Sequence, residues 1–281
     1  SFKFTPSTLN KALENKKGAY VFLNFPIVNP TGALYKEEEI IELIEVIKSH
    51  QARLILDHVF NGLEFDSTNR MTKIGKVLNG DFEWVMLGGV SKLFAAGGLR
   101  FGYALCSHSE IAQNLSEMNS FEPHFATLYA VKKIIKKFND SHPSLVTFLA
   151  EQRSLLRKRA LLLTKKLQEA NWEVLPAEGG LFLVAAPRSY FGKEITVNSS
   201  HFSEEKNYIL NSQNFYEAFF FSTGILINGS EWTGIPDYCR FVLSVSEKEF
   251  QEGVKAVESL DNALLISPIA EIAVFLASIF D

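Results

Sequence analysis

Between Ala19 and Asp57 the chain reads as an apolar run, a proline-containing loop, an amphipathic stretch and a second apolar run, an order that leaves few folds open. Ala19 to Phe25 has the composition of a buried strand. In the following PIVNPTGALY, Pro26 and Pro30 forbid helix, and Thr31-Gly32 predicts a tight turn that leaves Asn29 at the carboxyl end of the strand. Lys36 to His50 carries Ile40, Ile44 and Ile47 on one helical stripe, with glutamates in the first turn where the helix dipole favours them. Arg53 to Leu56 is the second strand and ends in Asp57. Strand, helix and strand in this order form a parallel βαβ unit, and such sheets gather functional side chains at the carboxyl ends of their strands.

The stretch WVMLGGVSKLFAAGGLRFGYAL, from Trp84 to Leu105, supplies a third such end. It predicts a strand from Trp84 to Leu87, a glycine-punctuated turn carrying Ser91 and Lys92, and a further strand from Phe101 that holds Arg100. A lysine between two apolar runs is partly desolvated, which lowers its pKa toward nucleophilic use. An arginine close by can fork onto a phosphate. Lysine for an aldehyde and arginine for a phosphate together suggest pyridoxal phosphate; a snorkelling lysine beside a surface arginine is the plainer alternative. Asp57, if buried, needs a partner, and either a pyridinium nitrogen or a nearby backbone N–H would serve.

Composition narrows the rest. With 47% hydrophobic and 21% charged residues the 281-residue chain has ample core for one large domain or two ordinary ones. A net charge of -4 gives no reason to expect nucleic acid or an anionic membrane as partner. The one basic cluster, Lys132, Lys133, Lys136 and Lys137, falls at helical spacing and reads as a solvated helix face. Cys106 and Cys239 are far apart, so reduced packing residues of a cytoplasmic chain are expected, and no metal-ligand spacing is present. The apolar run from Ile269 to Phe280 is too short to cross a bilayer.

Helices are predicted at Ser109 to Met118, Ala126 to Phe138, Ser144 to Ala170, Phe215 to Ser222 and Glu247 to Leu260, and strands at Trp172 to Leu175, Gly180 to Ala185, Ile225 to Ile227 and Arg240 to Val245. Arg188 to Asn211 reads as a polar, irregular excursion. The tail is expected to form a short helix after Ser267-Pro268. A break near Met118 to Pro123 divides the chain into residues 1–120 and 121–281.

Asn29 within NPTG, Asp57 after an apolar strand, Ser91-Lys92, then Arg100, PAEGGLFLV and Arg240 on the last strand before the terminal helix together resemble the class I/II aminotransferases of the fold type I pyridoxal phosphate family. The resemblance implies an α/β fold: residues 1–120 as the latter part of a large domain with a mostly parallel sheet and flanking helices, and residues 121–281 as an α+β small domain with an apolar tail. It implies pyridoxal 5'-phosphate as cofactor, Lys92 as the residue that forms the aldimine and moves the Cα proton, and Asp57 on the pyridine nitrogen. It further implies Asn29 on the ring's 3-oxygen, Ser91 and Arg100 on the phosphate side, and Arg240 clamping the carboxylate of a small amino-acid substrate. A homodimer is the family's usual assembly and is expected of the full-length protein.

Three departures accompany the likeness. The family's tyrosine three residues after the aspartate is Phe60 here, and a phosphate-binding serine three residues before the lysine is Gly89. Family members also carry an upstream half of the large domain, with a glycine-containing phosphate loop and a stacking aromatic, which these residues do not include. The expectation is a longer parent polypeptide or a reduced cofactor cradle. GSEWTGIPDYCRF (Gly229 to Phe241), VNPTG and LILDHVFNGLEF are similar to the aminotransferase-like C-terminal domain of methionine S-methyltransferases. That likeness keeps two functions in view: an amino-acid-handling pyridoxal phosphate enzyme, and a non-catalytic domain that supports or regulates methyl transfer carried elsewhere.

Overall fold

The computed structural model describes residues 2–66, 74–78, 82–119, 122–197, 206–260 and 274–275. Its first layer is a four-stranded sheet of β1 (Tyr20–Asn24), β2 (Arg53–Asp57), β3 (Trp84–Gly89) and β4 (Gly102–Cys106), in that spatial order. β1, β2 and β3 are parallel, and β4 returns antiparallel beside β3. The register sets Asn24 opposite Asp57 and Asp57 opposite Leu87, so β1 and β2 end level and β3 continues two residues further, to Gly89.

One face of this sheet is packed by α1 (Pro6–Leu13), α2 (Glu37–Ser49) and α3 (Ile74–Val77). Thr5 and Thr8 close α1 with a reciprocal capping box, and three glutamates occupy the first turn of α2. Ile40, Leu43, Ile44 and Ile47 of α2 meet Val21, Leu23, Leu54 and Leu56, each contributing about 1.5–3 kcal/mol by leaving water. The alternation of β1 and β2 turns Tyr20, Phe22, Asn24, Ile55 and Asp57 to the opposite face. α4 (Ser109–Met118) lies beside β4; Tyr20 and Phe22 are exposed on that opposite face, whereas Tyr103 and Leu105 of β4, also exposed, share the face of Gly88 and Met86.

The second layer opens with α5 (Phe125–Asn139) and the long α6 (Pro143–Glu169). Then come β5 (Glu173–Leu175), β6 (Phe182–Ala186), β7 (Glu194–Val197), β8 (Lys206–Ile209), α7 (Phe215–Thr223), β9 (Ile225–Leu226), the one-turn α8 (Ser230–Thr233), β10 (Cys239–Val242), α9 (Glu247–Glu258) and β11 (Val274–Phe275). β10, β6 and β5 form an antiparallel sheet with β6 central, and every residue of β6 is buried. Trp172 centres the adjoining core, with the rings of Tyr190, Phe215, Phe219 and Phe241 around it. Cys239 lies in this core, where burial pushes its thiol up to about 12. Ile27, Leu34, Phe60 and Leu63 from the first part of the chain belong to the same cluster, which ties the two layers together.

The polar stretch from Arg188 to Asn211 is more regular than its composition suggests. β7 and β8 pair antiparallel across it, with Ile195 and Val197 turned inward, a period-two pattern too short to stand out from its polar flanks. Residues 198–205 between them lie outside the described residues. In the tail, Val274 and Phe275 are extended and pair parallel with β9, whereas the sequence predicts a helix after Ser267-Pro268. The rest of the tail lies outside the described residues. No helix among the described residues is long and apolar enough to cross a membrane.

Candidate active site

The turn that carries Asn29 is built by NPTG. The Phe25-Pro26 and Asn29-Pro30 peptides are cis. Gly32 has φ +70° and donates its N–H to the Val28 carbonyl at 2.8 Å, while Val28 and Ala33 are joined at 2.9 Å. A side chain on Gly32 would land 2.7 Å from the Ala177 methyl and 2.8 Å from the Gly179 oxygen, so the turn is pressed against PAEGG of the second layer. Glu178 seals the contact by accepting from the Leu34 N–H at 3.0 Å. Asn29 thereby lines a narrow cleft with Ile27, Phe60, Leu181 and Phe182.

At the end of β2, Asp57 accepts from Asn24 Nδ2 at 2.9 Å on one oxygen and from the Val59 N–H at 3.2 Å on the other. The chain then bends through His58, whose ring stacks on Phe25 at 5.9 Å and 7° and whose Nδ1 lies 2.9 Å from the Phe25 carbonyl. Burial holds the His58 imidazole below its usual pKa, more than the Phe25 carbonyl and neighbouring Asp57 raise it. His58 is thus a packing residue at the strand end, as its place on the opposite face from Asp57 predicts.

Ser91 and Lys92 sit in the turn after β3. With Val59, Gly88, Gly89, Arg100, Phe101 and Gly102 they line one cavity of about 260 Å³. The wall is tight at Gly89, where a Cβ would come within 3.2 Å of the Phe101 oxygen. Lys92 is half-buried, with Nζ 5.8 Å from the centre of the Phe60 ring, and its carbonyl faces Gln152 Nε2 of α6 at 3.5 Å. Arg100 is not held by the following strand, as the sequence suggests. It caps the 3-10 turn Gly97–Leu99 with φ +48°, two residues before β4, and its side chain reaches back to the Gly97 oxygen at 3.3 Å. The glycine pair curls the chain before β4 begins, and Arg100 is exposed at the cavity mouth.

Arg240 lies on the edge strand β10, yet it is 0% exposed. Its backbone pairs in both directions with Asn228, at 3.2 and 3.0 Å, and its Nε donates to Asn228 Oδ1 at 3.1 Å. Its guanidinium carbon is 4.0 Å from the Phe182 ring centre and 3.8 Å from that of Trp232. Phe182 also meets Phe60 edge-on at 5.9 Å, so Lys92, Phe60, Phe182 and Arg240 form a continuous line of contacts across the two layers. Asn29 joins it through the cleft.

These donors suit the group that the sequence resemblance implies. Pyridoxal phosphate offers an aldehyde, a phosphate, a phenolic oxygen and a ring nitrogen. The cavity offers an amine, a hydroxyl and a guanidinium within a glycine-lined wall, with a carboxylate at the neighbouring strand end. Asn24, Asn228, Phe182 and Trp232 all touch these groups and are not singled out by sequence reasoning. Asn24 carries a usable signal, a polar residue closing an apolar strand in register with Asp57; the others depend on the tertiary meeting of distant segments.

Comparison with known proteins gives the family and the fold. Residues 1–257 match the profile of the family "Aminotransferase class I and II". The chain is 32% identical over 272 residues to a methionine S-methyltransferase of Hordeum vulgare, covering 94% of this chain and 24% of that protein. It is 23% identical to a probable aspartate/prephenate aminotransferase of Rhizobium leguminosarum bv. phaseoli, covering 94% of this chain and 62% of that one. Among solved structures, an aromatic aminotransferase from Pyrococcus horikoshii superposes with a TM-score of 0.75 at 20% identity, over 93% of this chain and 64% of that chain. The chain therefore spans about a quarter of the length of the methyltransferase relatives it matches, and less than two thirds of the aminotransferases.

Proposed function

The chain belongs to the class I and II aminotransferase family, and from that premise we propose that it is a pyridoxal phosphate-binding domain that handles a small amino acid. The single observation that carries this reading is the cavity that Lys92 shares with Ser91 and Arg100, at the end of the strand that neighbours the one ending in Asn24-bound Asp57. Bound there, pyridoxal phosphate would supply an electron sink for the pair left when a proton departs the carbon beside an amino group.

The chain's own residues would do the remainder. Arg100 and the Ser91 hydroxyl hold the phosphate by charge-assisted hydrogen bonds. Asp57, oriented by Asn24 and the Val59 N–H, keeps a proton on the ring nitrogen. Asn29 donates to the phenolic oxygen. Lys92 would supply the amine for the aldehyde and would move a proton at the substrate's α carbon. Arg240 binds the substrate carboxylate through its fork, its plane held by Asn228 and the rings on either side.

The test is the visible absorbance of the protein titrated with pyridoxal phosphate, alongside Lys92→Ala and Asp57→Ala. The reading expects a saturable band in the wild type, its loss in Lys92→Ala, and at least about tenfold weaker retention in Asp57→Ala, where a charge-assisted contact is gone. Absence of a band in folded wild-type protein would overturn it and favour a domain that keeps this fold for binding alone.

A further inference from the structure

Arg240 is 0% exposed, so nothing in solution reaches its guanidinium while the chain keeps this arrangement. The ring centres of Phe182 and Trp232 are 4.0 and 3.8 Å from the guanidinium carbon, distances that put one ring on each face, and Asn228 Oδ1 accepts from Nε at 3.1 Å. Two of these three neighbours are fixed. Phe182 is 4% exposed in the central strand β6, and Asn228 pairs its backbone in both directions with that of Arg240. Trp232 is different: it is 53% exposed and stands on the one-turn α8, between two glycines. Gly229 is tightly packed, with the Tyr216 ring 2.6 Å from where a Cβ would stand, whereas Gly234 has φ +66° and nothing within 4 Å of its Cβ position. A left-handed glycine in open space is a place where the backbone turns at little steric cost. The buried cation is thus closed on its solvent side by one exposed ring carried on a short turn with a pivot at its end.

We propose that α8 is a lid over the Arg240 guanidinium and Trp232 its latch: a carboxylate reaches Arg240 only when the indole lifts off, through a backbone change at Gly234 that leaves Phe182 and Asn228 in place. The inference rests on the reading of Arg240 as the substrate carboxylate site. The latch is the attraction between the cation and the face of the indole, which is stronger where water is excluded. It opposes entry, because a ligand binds only the open fraction of molecules and its apparent affinity falls by that fraction. Opening and binding are then one equilibrium: a carboxylate on Arg240 holds the lid open, and the indole on Arg240 keeps the carboxylate out.

The test is modification by phenylglyoxal, which reacts with accessible guanidinium groups, followed site by site by mass spectrometry in the wild type, Trp232→Phe and Trp232→Ala. Two arginines serve as internal references: Arg100, which is exposed, and Arg159, which is buried in α6 against the Leu243 and Val245 carbonyls. In the wild type Arg240 is expected to react at least about tenfold more slowly than Arg100. Its rate should rise at least about tenfold in Trp232→Ala, where the latch is gone, and stay within about threefold of the wild type in Trp232→Phe, which keeps a ring over the cation. Arg159 should keep its wild-type rate throughout. Equal protection of Arg240 in the wild type and Trp232→Ala would overturn the lid, as would a wild-type Arg240 that reacts as fast as Arg100. Acceleration of Arg159 together with Arg240 would also overturn it, because that pattern is general loosening. Propionate then probes the carboxylate site: in Trp232→Ala it is expected to slow modification of Arg240 and not of Arg159. If Trp232→Ala exposes Arg240 but propionate leaves its rate unchanged, the lid stands as a cover and the reading of Arg240 as a carboxylate site fails.

Discussion

Lys92 Nζ lies 5.8 Å from the centre of the Phe60 ring, and this contact joins the candidate catalytic turn to the core of the second layer. Phe60 stands where the family resemblance leads one to expect a tyrosine, and its ring is 3% exposed and packed edge-on against Phe182. The position is used for packing between layers.

Phe60→Ala is accordingly expected to lower unfolding stability by about 3–5 kcal/mol, the cost of a buried ring and the cavity it leaves. Phe60→Leu, which keeps most of the volume, should cost less than half as much. Urea unfolding of the two variants measures the difference.

Gly32→Ala tests the NPTG turn. The backbone there is left-handed, and the new methyl would meet Ala177 and the Gly179 oxygen. A loss of more than about 1 kcal/mol is expected, from strained φ and steric overlap together. Gly192→Ala, also at positive φ but with open space around it, should cost less in the same unfolding assay.

Much of this architecture is legible in the sequence. The alternation of strand, proline loop and isoleucine-striped helix predicts β1, α2 and β2 to within a residue or two, because hydrophobic period and turn chemistry are local properties. Arg100 is placed less well, since the 3-10 turn Gly97–Leu99, closed by Arg100 itself at positive φ, delays β4 and brings the guanidinium to the cavity mouth instead of a strand. The aromatic sandwich on Arg240 is not legible at all. Phe182 and Trp232 are distant in sequence, and only the pairing of β10 with β6 and the bridge to Asn228 bring them to the same guanidinium.

His58 carries a pH dependence with a definite sign. Burial lowers its folded pKa below the unfolded value of about 6.5, so at acid pH the unfolded chain binds the extra proton. Its contribution to stability is complete above about pH 6.5 and is lost as pH falls through the lower folded value. In His58→Phe, which preserves the stack on Phe25, the decline of stability below pH 6.5 should be shallower. Urea midpoints across pH 5 to 7 would reveal it.

Arg159 is buried in α6 and donates to the Leu243 carbonyl at 2.7 Å, the Val245 carbonyl at 2.6 Å and Glu247 at 2.8 Å. Arg159→Met keeps the packing on Phe250 but leaves two carbonyls without their donor. A loss of about 3 kcal/mol is expected. Glu247→Gln should cost far less, because that carboxylate is largely in water.

Whether Lys92 is the residue that engages the cofactor is tested most directly by adding pyridoxal phosphate at a molar equivalent, reducing with borohydride, and mapping the label by mass spectrometry. The account predicts one dominant modified peptide, the one containing Lys92, and a different, weaker pattern in Lys92→Ala. A label spread over exposed lysines such as Lys132, Lys133 and Lys137, unchanged when Lys92 is replaced, would contradict it.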